Sequence, residues 1–495
     1  MAVPDEQAEA AAMLAGAAGA EPVETHISAV FIGSERVLKL RKAVRLAYVD
    51  FATPERRERA ARREMELGAV FAPGVYRRLW AVTRDAAGKL ALSDQAGAGD
   101  ALDWVVEMAH VPPGDFLDAM VACGRLDGAL LDEVADSAAA LHRPLPAARW
   151  RQADALRSLV DGNLRSAREA QLDPAASDAW ARACHRAVEA GRDFLDARAR
   201  DGFVRRGHGD LHLGNMLLWR GKPVAFDPLE FDEELATVDV AYDLAFLLMD
   251  LDHRAGRAAA NRVMNRVIAR NGDVGLVGAL PLFLSLRAMV RAHVAATSGN
   301  TRDASAYLAR AGEYLRPERC CVVGIGGLPG TGKSTLARAL APDLGRAPGA
   351  VVIRSDEVRK RLWGREPTKR LPPAAYDERI SRVVLAAVAR DCGIAAGHGQ
   401  AAIADATFMD PADRRAVAQA AGAAPFLGVW LHAPPSVLEA RIAGRRGDAS
   451  DATVAVLRRA IAHDPGPGDW MAVDATERDA ALAAIRRAVG ESATV

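Results

Sequence analysis

A chain of 495 residues is too long for one hydrophobic core, and the length predicts about three compact units. Half of the residues are hydrophobic, which is ample for globular packing, and Lys+Arg and Asp+Glu both number 64. The resulting zero formal charge argues against nucleic acid or an anionic membrane as the main partner. The five cysteines (Cys123, Cys184, Cys320, Cys321 and Cys392) form no C-x-x-C pair and are odd in number, which predicts reduced thiols and a cytoplasmic setting.

Residues 1–23 read as an N-terminal extension. The Ala-rich stretch MAVPDEQAEAAAMLAGAAGAEP has no basic start, carries Asp5, Glu6 and Glu9, and lacks a strongly apolar centre. Those features exclude a secretory signal and predict a frayed helix. No stretch approaches the length of a membrane span.

Residues 24–110 read as a small β-rich lobe. Its short apolar runs are Ile27–Ile32, Val37–Leu40, Leu90–Leu92 and Trp104–Met108, interrupted by a charged helix from about Pro54 to Val70. Residues 111–315 are helical by pattern, with apolar stripes over Tyr242–Leu251 and Leu280–Ala296. The exception is MLLW-RGKP-VAFD at Met216 to Asp227, a hairpin with Gly221 in its turn.

Just before that hairpin, His208-Gly209-Asp210-Leu211-His212-Leu213-Gly214-Asn215 has the spacing H-x-D-x-x-x-x-N of a phosphoryl-transfer catalytic loop. Such chemistry needs a carboxylate to take the proton of an attacking hydroxyl, the role assigned to Asp210. It needs two groups to hold Mg²⁺, and Asn215 and Asp227 fit. It needs a lysine on the α/β-phosphates, braced by an acid on a helix. Lys39 sits on a strand and Glu64 on the helix that follows. Glu66 points elsewhere on that helix, and Lys42 lies where the strand pattern ends. His208 and His212 at i, i+4 would suit zinc only on a helix with a third ligand, and Gly209 and Gly214 oppose a helix. His208 is instead expected to hold the loop backbone by a hydrogen bond.

Residues 316–495 alternate strand-like and helical segments, which predicts a parallel sheet covered on both faces. The preceding boundary falls at Gly299 to Pro317, with a short helix at Ala304–Leu315, and no internal repeat appears. Gly327-Leu328-Pro329-Gly330-Thr331-Gly332-Lys333-Ser334 matches G-x-x-x-x-G-K-[ST] at every fixed position. The apolar run Cys321–Ile325 before it reads as a strand, and Thr335–Leu340 after it as a helix. Backbone N–H groups of such a turn converge on phosphate, Lys333 reaches the β/γ-phosphates and Ser334 holds Mg²⁺. Further strands are Val351–Arg354, Ala402–Ala404 and Phe426–Leu431.

A carboxylate just beyond a strand's carboxyl end lies in the ligand crevice of a parallel sheet. Asp356 in that position is a candidate base, with a helix N-cap by Ser355 or Asp356 as the alternative. Asp405, ending Ala402-Ile403-Ala404, stands where a second carboxylate would steady Mg²⁺. Arg441, Arg445 and Arg446 on a helix are candidates to close over a triphosphate, or else form a solvated basic face. The run Leu362 to Tyr376 reads as a substrate lid or a long loop.

The motifs HGDLHLGN, FDPLEF (Phe226 to Phe231) and DVAYDLAFLLMDL (Asp239 to Leu251) resemble the aminoglycoside phosphotransferase-like branch of the protein-kinase-like fold. With GGLPGTGKSTLA, the chain from about 24 to 490 is similar to bacterial two-domain proteins that fuse such a domain to an AAA-type P-loop kinase module. SDEVRKRL, IADATF and RIAGRR…SDAT resemble the zeta-toxin and gluconate-kinase group, with AAA denoting fold kinship only. The resemblance implies an α+β kinase-like domain (residues 24–315, lobes 24–110 and 111–315) followed by an α/β P-loop NTPase domain (316–495). It implies Asp210 as base, Asn215 and Asp227 as Mg²⁺ ligands, and structural or metal-supporting roles for Glu230, Asp239 and Asp243. Asp239 and Asp243 read equally as helix caps. No G-x-G-x-x-G occurs near Ile27–Gly33, and Asp227 is followed by Pro228-Leu229 rather than Phe-Gly. Both departures favour small-molecule kinases over protein kinases.

The expected activity is ATP- and Mg²⁺-dependent phosphoryl transfer by two modules to small-molecule hydroxyls such as an aminoglycoside, a sugar or another polar alcohol. The expected nucleotide contacts are Lys39, Glu64, Gly327 to Thr335, Arg441 and Arg445. The rival expectations are a nucleotide-binding regulatory protein with a pseudokinase-like sensor domain, and a polynucleotide kinase in the C-terminal module.

Overall fold

The computed structural model describes residues 2–46, 49–94, 101–148, 152–444 and 448–492. Its contacts divide the chain into two discontinuous compact units: Met1–Trp150 with Arg198–Leu247, and Arg151–Ala197 with Leu248–Val495.

The first unit is built on a six-stranded antiparallel sheet. Its order is Val23–Glu24, Ser28–Ile32, Arg36–Arg41, Asp103–Ala109, Tyr76–Arg84, Leu90–Ser93. Strand periodicity of two sends Leu38 and Leu40 to one face, where they are fully buried with Ala29, Phe31 and Val105. Lys39 therefore faces the other way, and a one-residue slip in register would exchange the two sets. The register is fixed by Lys39 opposite Val30 on one side and Val106 on the other.

The charged helix Pro54–Phe71 buries Arg57, Ala60, Ala61, Glu64, Leu67, Gly68 and Phe71, the i, i+3, i+4 stripe of an amphipathic helix. Glu64 falls in that stripe, while Glu66 is exposed and pairs with Arg63. Gly68 is required by packing, because a Cβ there would stand 2.2 Å from the Tyr76 ring.

Two sequence expectations need correction in this unit. The N-terminal segment is not frayed. The helix Ala8–Ala18 buries Ala10 and Leu14, one turn apart, against the Phe31 and Leu38 face, and buried Gln7 bonds Arg41 O at 2.8 Å. The small alanines let the helix lie close to the sheet. The nine-residue strand Tyr76–Arg84 went unread because a register shift between Tyr76 and Arg78 breaks its alternation and its arginines dilute the apolar pattern. The hairpin Met216–Trp219/Lys222–Ala225 forms, with Arg220 and Gly221 both at positive φ (52° and 77°), as a two-residue primed turn requires.

The second unit holds the helices Gln152–Glu169, Pro174–Ala190, Arg257–Asn271, Leu280–Thr297 and Thr301–Glu313, together with a five-stranded parallel sheet. The sheet order is Val351–Arg354, Ala402–Asp405, Val322–Gly327, Phe426–His432, Met471–Asp474. The last strand escaped the sequence reading: three of its four residues are exposed, so it lacks an apolar run. Val323, Ile325, Ile403, Val429 and Leu431 form the buried centre with Leu336 and Leu340 of the helix that follows the P-loop.

The edge strand Val351–Arg354 is covered by side chains of the helix Arg257–Asn271. Asn261 and Asn265 donate to Ala350 O at 3.0 and 3.1 Å, and Asn265 Oδ1 accepts from Val352 N–H at 2.6 Å. Backbone groups that an open edge would leave unpaired are thereby satisfied. Among the described residues no helix is long and apolar enough to cross a membrane.

Candidate active sites

In the first unit, Lys39 Nζ donates to Glu64 Oε1 at 3.0 Å and to Asp227 Oδ1 at 2.5 Å. Arg41, two residues on and on the same sheet face, bonds the other Glu64 oxygen and also Glu230 Oε1 at 2.7 Å. Period two would have exposed Arg41 as a partner, but the sequence reading passed over it. Burial opposes charge on Lys39, yet Asp227, Glu64 and Glu230 together outweigh it and hold the ammonium above its ordinary range. Burial likewise works against the Glu64 carboxylate, and Lys39 and Arg41 overcome it, so Glu64 is held below the carboxylate range. For Glu230, burial wins over Arg41 and the carboxyl is pushed up. Lys42 lies apart from this cluster, bonded to Glu24 and the Thr25 carbonyl.

The 208–215 loop and the strand before it are held by two buried carboxylates. Asp243 accepts from His208 N–H at 2.7 Å, from Gly209 N–H at 3.0 Å, and from His142 Nε2 at 2.9 Å. Asp239 accepts both arms of Arg198 at 2.7 and 2.9 Å and the Ala241 N–H at 2.8 Å. Neither His142 nor Arg198 carries a motif, so neither was singled out from the sequence. His208 donates Nε2–H to Phe226 O at 2.9 Å. Burial lowers its basicity despite the nearby Asp243, Asp210 and Asp227.

His212 Nδ1 accepts from Gly214 N–H at 3.1 Å, which leaves the proton on Nε2, 3.5 Å from Asp210 Oδ2. Both histidine rings thus have partners other than a shared metal. Asn215 Nδ2 donates to Asp210 O at 3.0 Å and to its Oδ2 at 2.8 Å. Asp227 adopts φ 56°, and its N–H donates to the Tyr76 hydroxyl at 2.9 Å. A non-glycine residue in that region is strained and is held there by its surroundings. Tyr76 is kept neutral: burial first, then Glu64 and Asp227, push its hydroxyl far above the ordinary range.

In the second unit the strand Val322–Gly327 turns into the helix Lys333–Leu340 through the glycine loop. Gly327 and Gly330 have φ 135° and 90°, and a Cβ on Gly327 would lie 2.4 Å from Leu431 O. Only glycine fits where the loop presses on the neighbouring strand. Lys333 Nζ donates to Gly327 O at 2.9 Å and Leu328 O at 3.0 Å, and Thr331 Oγ1 donates to Leu328 O at 2.9 Å.

A cavity of about 1400 Å³ is lined by Pro329 to Leu336 together with Asp356, Arg359, Tyr376, Asp405 and Asp451. Leu328 and Gly327 are not in this lining. Arg441 also borders it, but its guanidinium is spent on Ala475 O and Thr476 O at 2.8 to 3.0 Å, fastening that loop beside the P-loop. Arg445 and Arg446 lie outside the described residues.

Arg354 is the residue that organises this site. It stands opposite Asp405 in the parallel register and bonds Asp405 Oδ2 at 3.2 Å, Glu357 Oε1 at 2.8 Å and Asp448 Oδ1 at 2.8 Å. Its sequence neighbours gave no sign of a three-carboxylate role. Asp356 follows within the helix Ser355–Leu362, whose N-cap is Arg354 with no side-chain cap bond. The capping alternative for Ser355 or Asp356 is therefore overturned, since helical geometry already begins at Ser355. Burial pushes the Asp356 carboxyl up, helped by Asp405 and opposed by Arg354 and Lys333. The run Leu362 to Tyr376 is fastened through Asp451, which accepts from Lys360 at 2.8 Å, Leu371 N–H at 3.0 Å and the Tyr376 hydroxyl at 2.5 Å.

Among the described residues no three His, Cys, Asp or Glu side chains converge into a ready metal cage. The oxygen groups present (Asn215 with Asp227, and Ser334 with Asp405) suit a hard cation bound by one or two protein oxygens plus phosphate and water, the habit of Mg²⁺.

Residues 322–465 match the family model described as an AAA domain. The uncharacterized Mycobacterium tuberculosis protein Rv2004c is 31% identical over 467 residues, covering 90% of each chain. Among solved structures, a gluconokinase from Sinorhizobium meliloti is 20% identical, with a TM-score of 0.25, over 36% of this chain and 94% of that one. A choline/ethanolamine kinase family protein from Mesorhizobium loti is 14% identical, with a TM-score of 0.38, over 63% and 95%. The antiparallel sheet with its Lys39–Glu64 pair and the 208–215 loop give the N-terminal part a protein-kinase-like fold. The parallel sheet with the P-loop at its central strand makes the C-terminal part an α/β P-loop domain.

Proposed function

Because the chain belongs to the same family as the mycobacterial Rv2004c protein over nearly its whole length, we propose one activity scheme for the entire two-site arrangement. Each site transfers the γ-phosphoryl group of ATP to a hydroxyl of a small polar molecule, an aminoglycoside, a sugar or a similar alcohol. The observation that carries this reading is a pairing found twice. A lysine of the kind that neutralises phosphate stands with a carboxylate: Lys39 bonds Asp227, just past the hairpin that follows the Asp210–Asn215 loop, and Lys333 lines one cavity with Asp356.

In the first site Lys39, braced by Glu64, neutralises the phosphates, and Asp210, oriented by Asn215, accepts the acceptor's hydroxyl proton. In the second, the backbone of Gly327 to Ser334 cradles phosphate while Asp356 takes the proton. The acceptor oxygen bonds to the γ-phosphorus as the β–γ bridging bond breaks, and its electron pair leaves on ADP. Mg²⁺ would be held by Asn215 and Asp227 in one site and by Ser334 and Asp405 in the other, where it would neutralise phosphate charge. Catalysis by either site is then positioning plus charge neutralisation, with no covalent intermediate.

The test is ³¹P-detected transfer from ATP to a panel of polyols, sugars and aminoglycosides by wild type, Asp210→Asn and Lys333→Ala proteins. Each variant is expected to lose one set of products and keep the other. Unchanged products in both variants would sink the two-site reading.

A further inference from the structure

The cavity beside the P-loop has an unusual charge balance. Arg359 lies one helical turn after Asp356, so both side chains share a face. It is 8% exposed, its Nε has no hydrogen-bond partner, and its ring-facing guanidinium sits 4.8 Å from the centre of Tyr376. Its remaining bonds run to Ala375 O at 2.5 Å and Ser381 Oγ at 3.4 Å, neither of them an anion. Arg370 also lines the cavity, is exposed, and has no ion pair among the described residues.

The nearby acids are occupied. Asp451 is held by Lys360, Leu371 N–H and Tyr376, and Asp377 caps the next helix through Ile380 N–H at 2.8 Å. Asp356 lies within electrostatic reach of Arg359 but makes no ion pair with it. Two guanidinium groups are thus left facing a cavity with no ion pair of their own among the described residues. A carboxylate would answer one of them. A phosphate monoester carries nearly two charges and three acceptor oxygens, and matches the guanidinium fork.

We infer that the acceptor of the second site is an alcohol that already carries a phosphate monoester, held by Arg359 and Arg370. This rests on the transfer proposed at Lys333. The free hydroxyl of the ester bonds to the γ-phosphorus of ATP, its proton passes to Asp356, and the β–γ bridge breaks to release ADP, leaving a bisphosphate. The class of reaction that must supply this acceptor is phosphoryl transfer to another hydroxyl of the same molecule, the chemistry proposed for the first site.

Calorimetry on the full chain, saturated with a non-hydrolysable ATP analogue and Mg²⁺, tests the inference with glycerol 3-phosphate, glycerate and glycerol as probes. Glycerol 3-phosphate is expected to bind saturably, at least about tenfold tighter than glycerate or glycerol. Arg370→Gln, at an exposed position that leaves folding intact, is expected to weaken that binding about tenfold without altering binding of the ATP analogue. Arg359→Lys, which keeps the charge but loses the fork, is expected to weaken it as well. Binding of glycerate or glycerol as tight as that of glycerol 3-phosphate, or an unchanged Arg370→Gln protein, overturns the inference. The analogue itself separates the two levels: loss of one of its two binding events in Lys333→Ala upholds the second nucleotide site whatever the glycerol probes show, and failure of wild type to bind it overturns both readings.

Discussion

The two lysines at the centre of the two sites are held in opposite ways. Lys39 depends on partners far away in the chain, Glu64 and Asp227, and shares Glu64 with Arg41. Lys333 is fixed by carbonyls of its own loop, Gly327 and Leu328, six and five residues back. A site assembled from buried long-range charges is sensitive to the loss of any one of them, because the partners left behind remain buried and uncompensated. A site made by a tight backbone turn keeps its shape when a side chain is removed and loses only that side chain's chemistry.

The sharpest way to break this contrast is Lys333→Ala. It is expected to lower transfer at the second site by about 10²–10³-fold, with the stability of the fold unchanged, measured as kcat beside a denaturation curve. Asp210→Asn in the same preparation isolates the second site for that measurement.

Glu64→Gln is expected to do the reverse. Removing the carboxylate shared by Lys39 and Arg41 should destabilise the first unit by roughly 3–5 kcal/mol, read by urea denaturation. Asp405→Asn in the second unit should cost less, about 1–3 kcal/mol, because Arg354 keeps Glu357 and Asp448. Equal costs for the two substitutions would erase the distinction between the sites.

A pH profile of the Asp210→Asn protein sharpens the comparison further. Asp356 must be ionised to take a proton, and burial raises its carboxyl. The protonated fraction therefore grows as pH falls through that raised value, and the rate should drop about tenfold per unit below it. This acid limb should lie above the ordinary Asp value of about 3.9. A limb at or below that value would remove Asp356 as the base. The smallest effect is expected for Tyr76→Phe. The Asp227 N–H loses its acceptor, at a cost of about 0.5–1.5 kcal/mol in urea denaturation and little change at the second site.

The amino-acid order alone determined the features that are local. The P-loop is contiguous, and its glycines follow from a turn that must press backbone against phosphate and against Leu431. The catalytic-loop spacing from His208 to Asn215, the hairpin behind it, the helix register that buries Glu64, and the alternating strands all rest on periodicities written over a few residues. What the sequence left out has no such period. Arg41 joins Glu64 to Glu230, Asp243 ties His142 to the 208–209 backbone, and Arg354 gathers three carboxylates only because strands and helices distant in the chain are brought together. The same holds for the N-terminal helix, where Ala10 and Leu14 looked too weak to hold a segment until a sheet face was there to receive them. Charge pairing and burial depend on which surfaces meet, and that is settled by tertiary packing rather than by spacing along the chain.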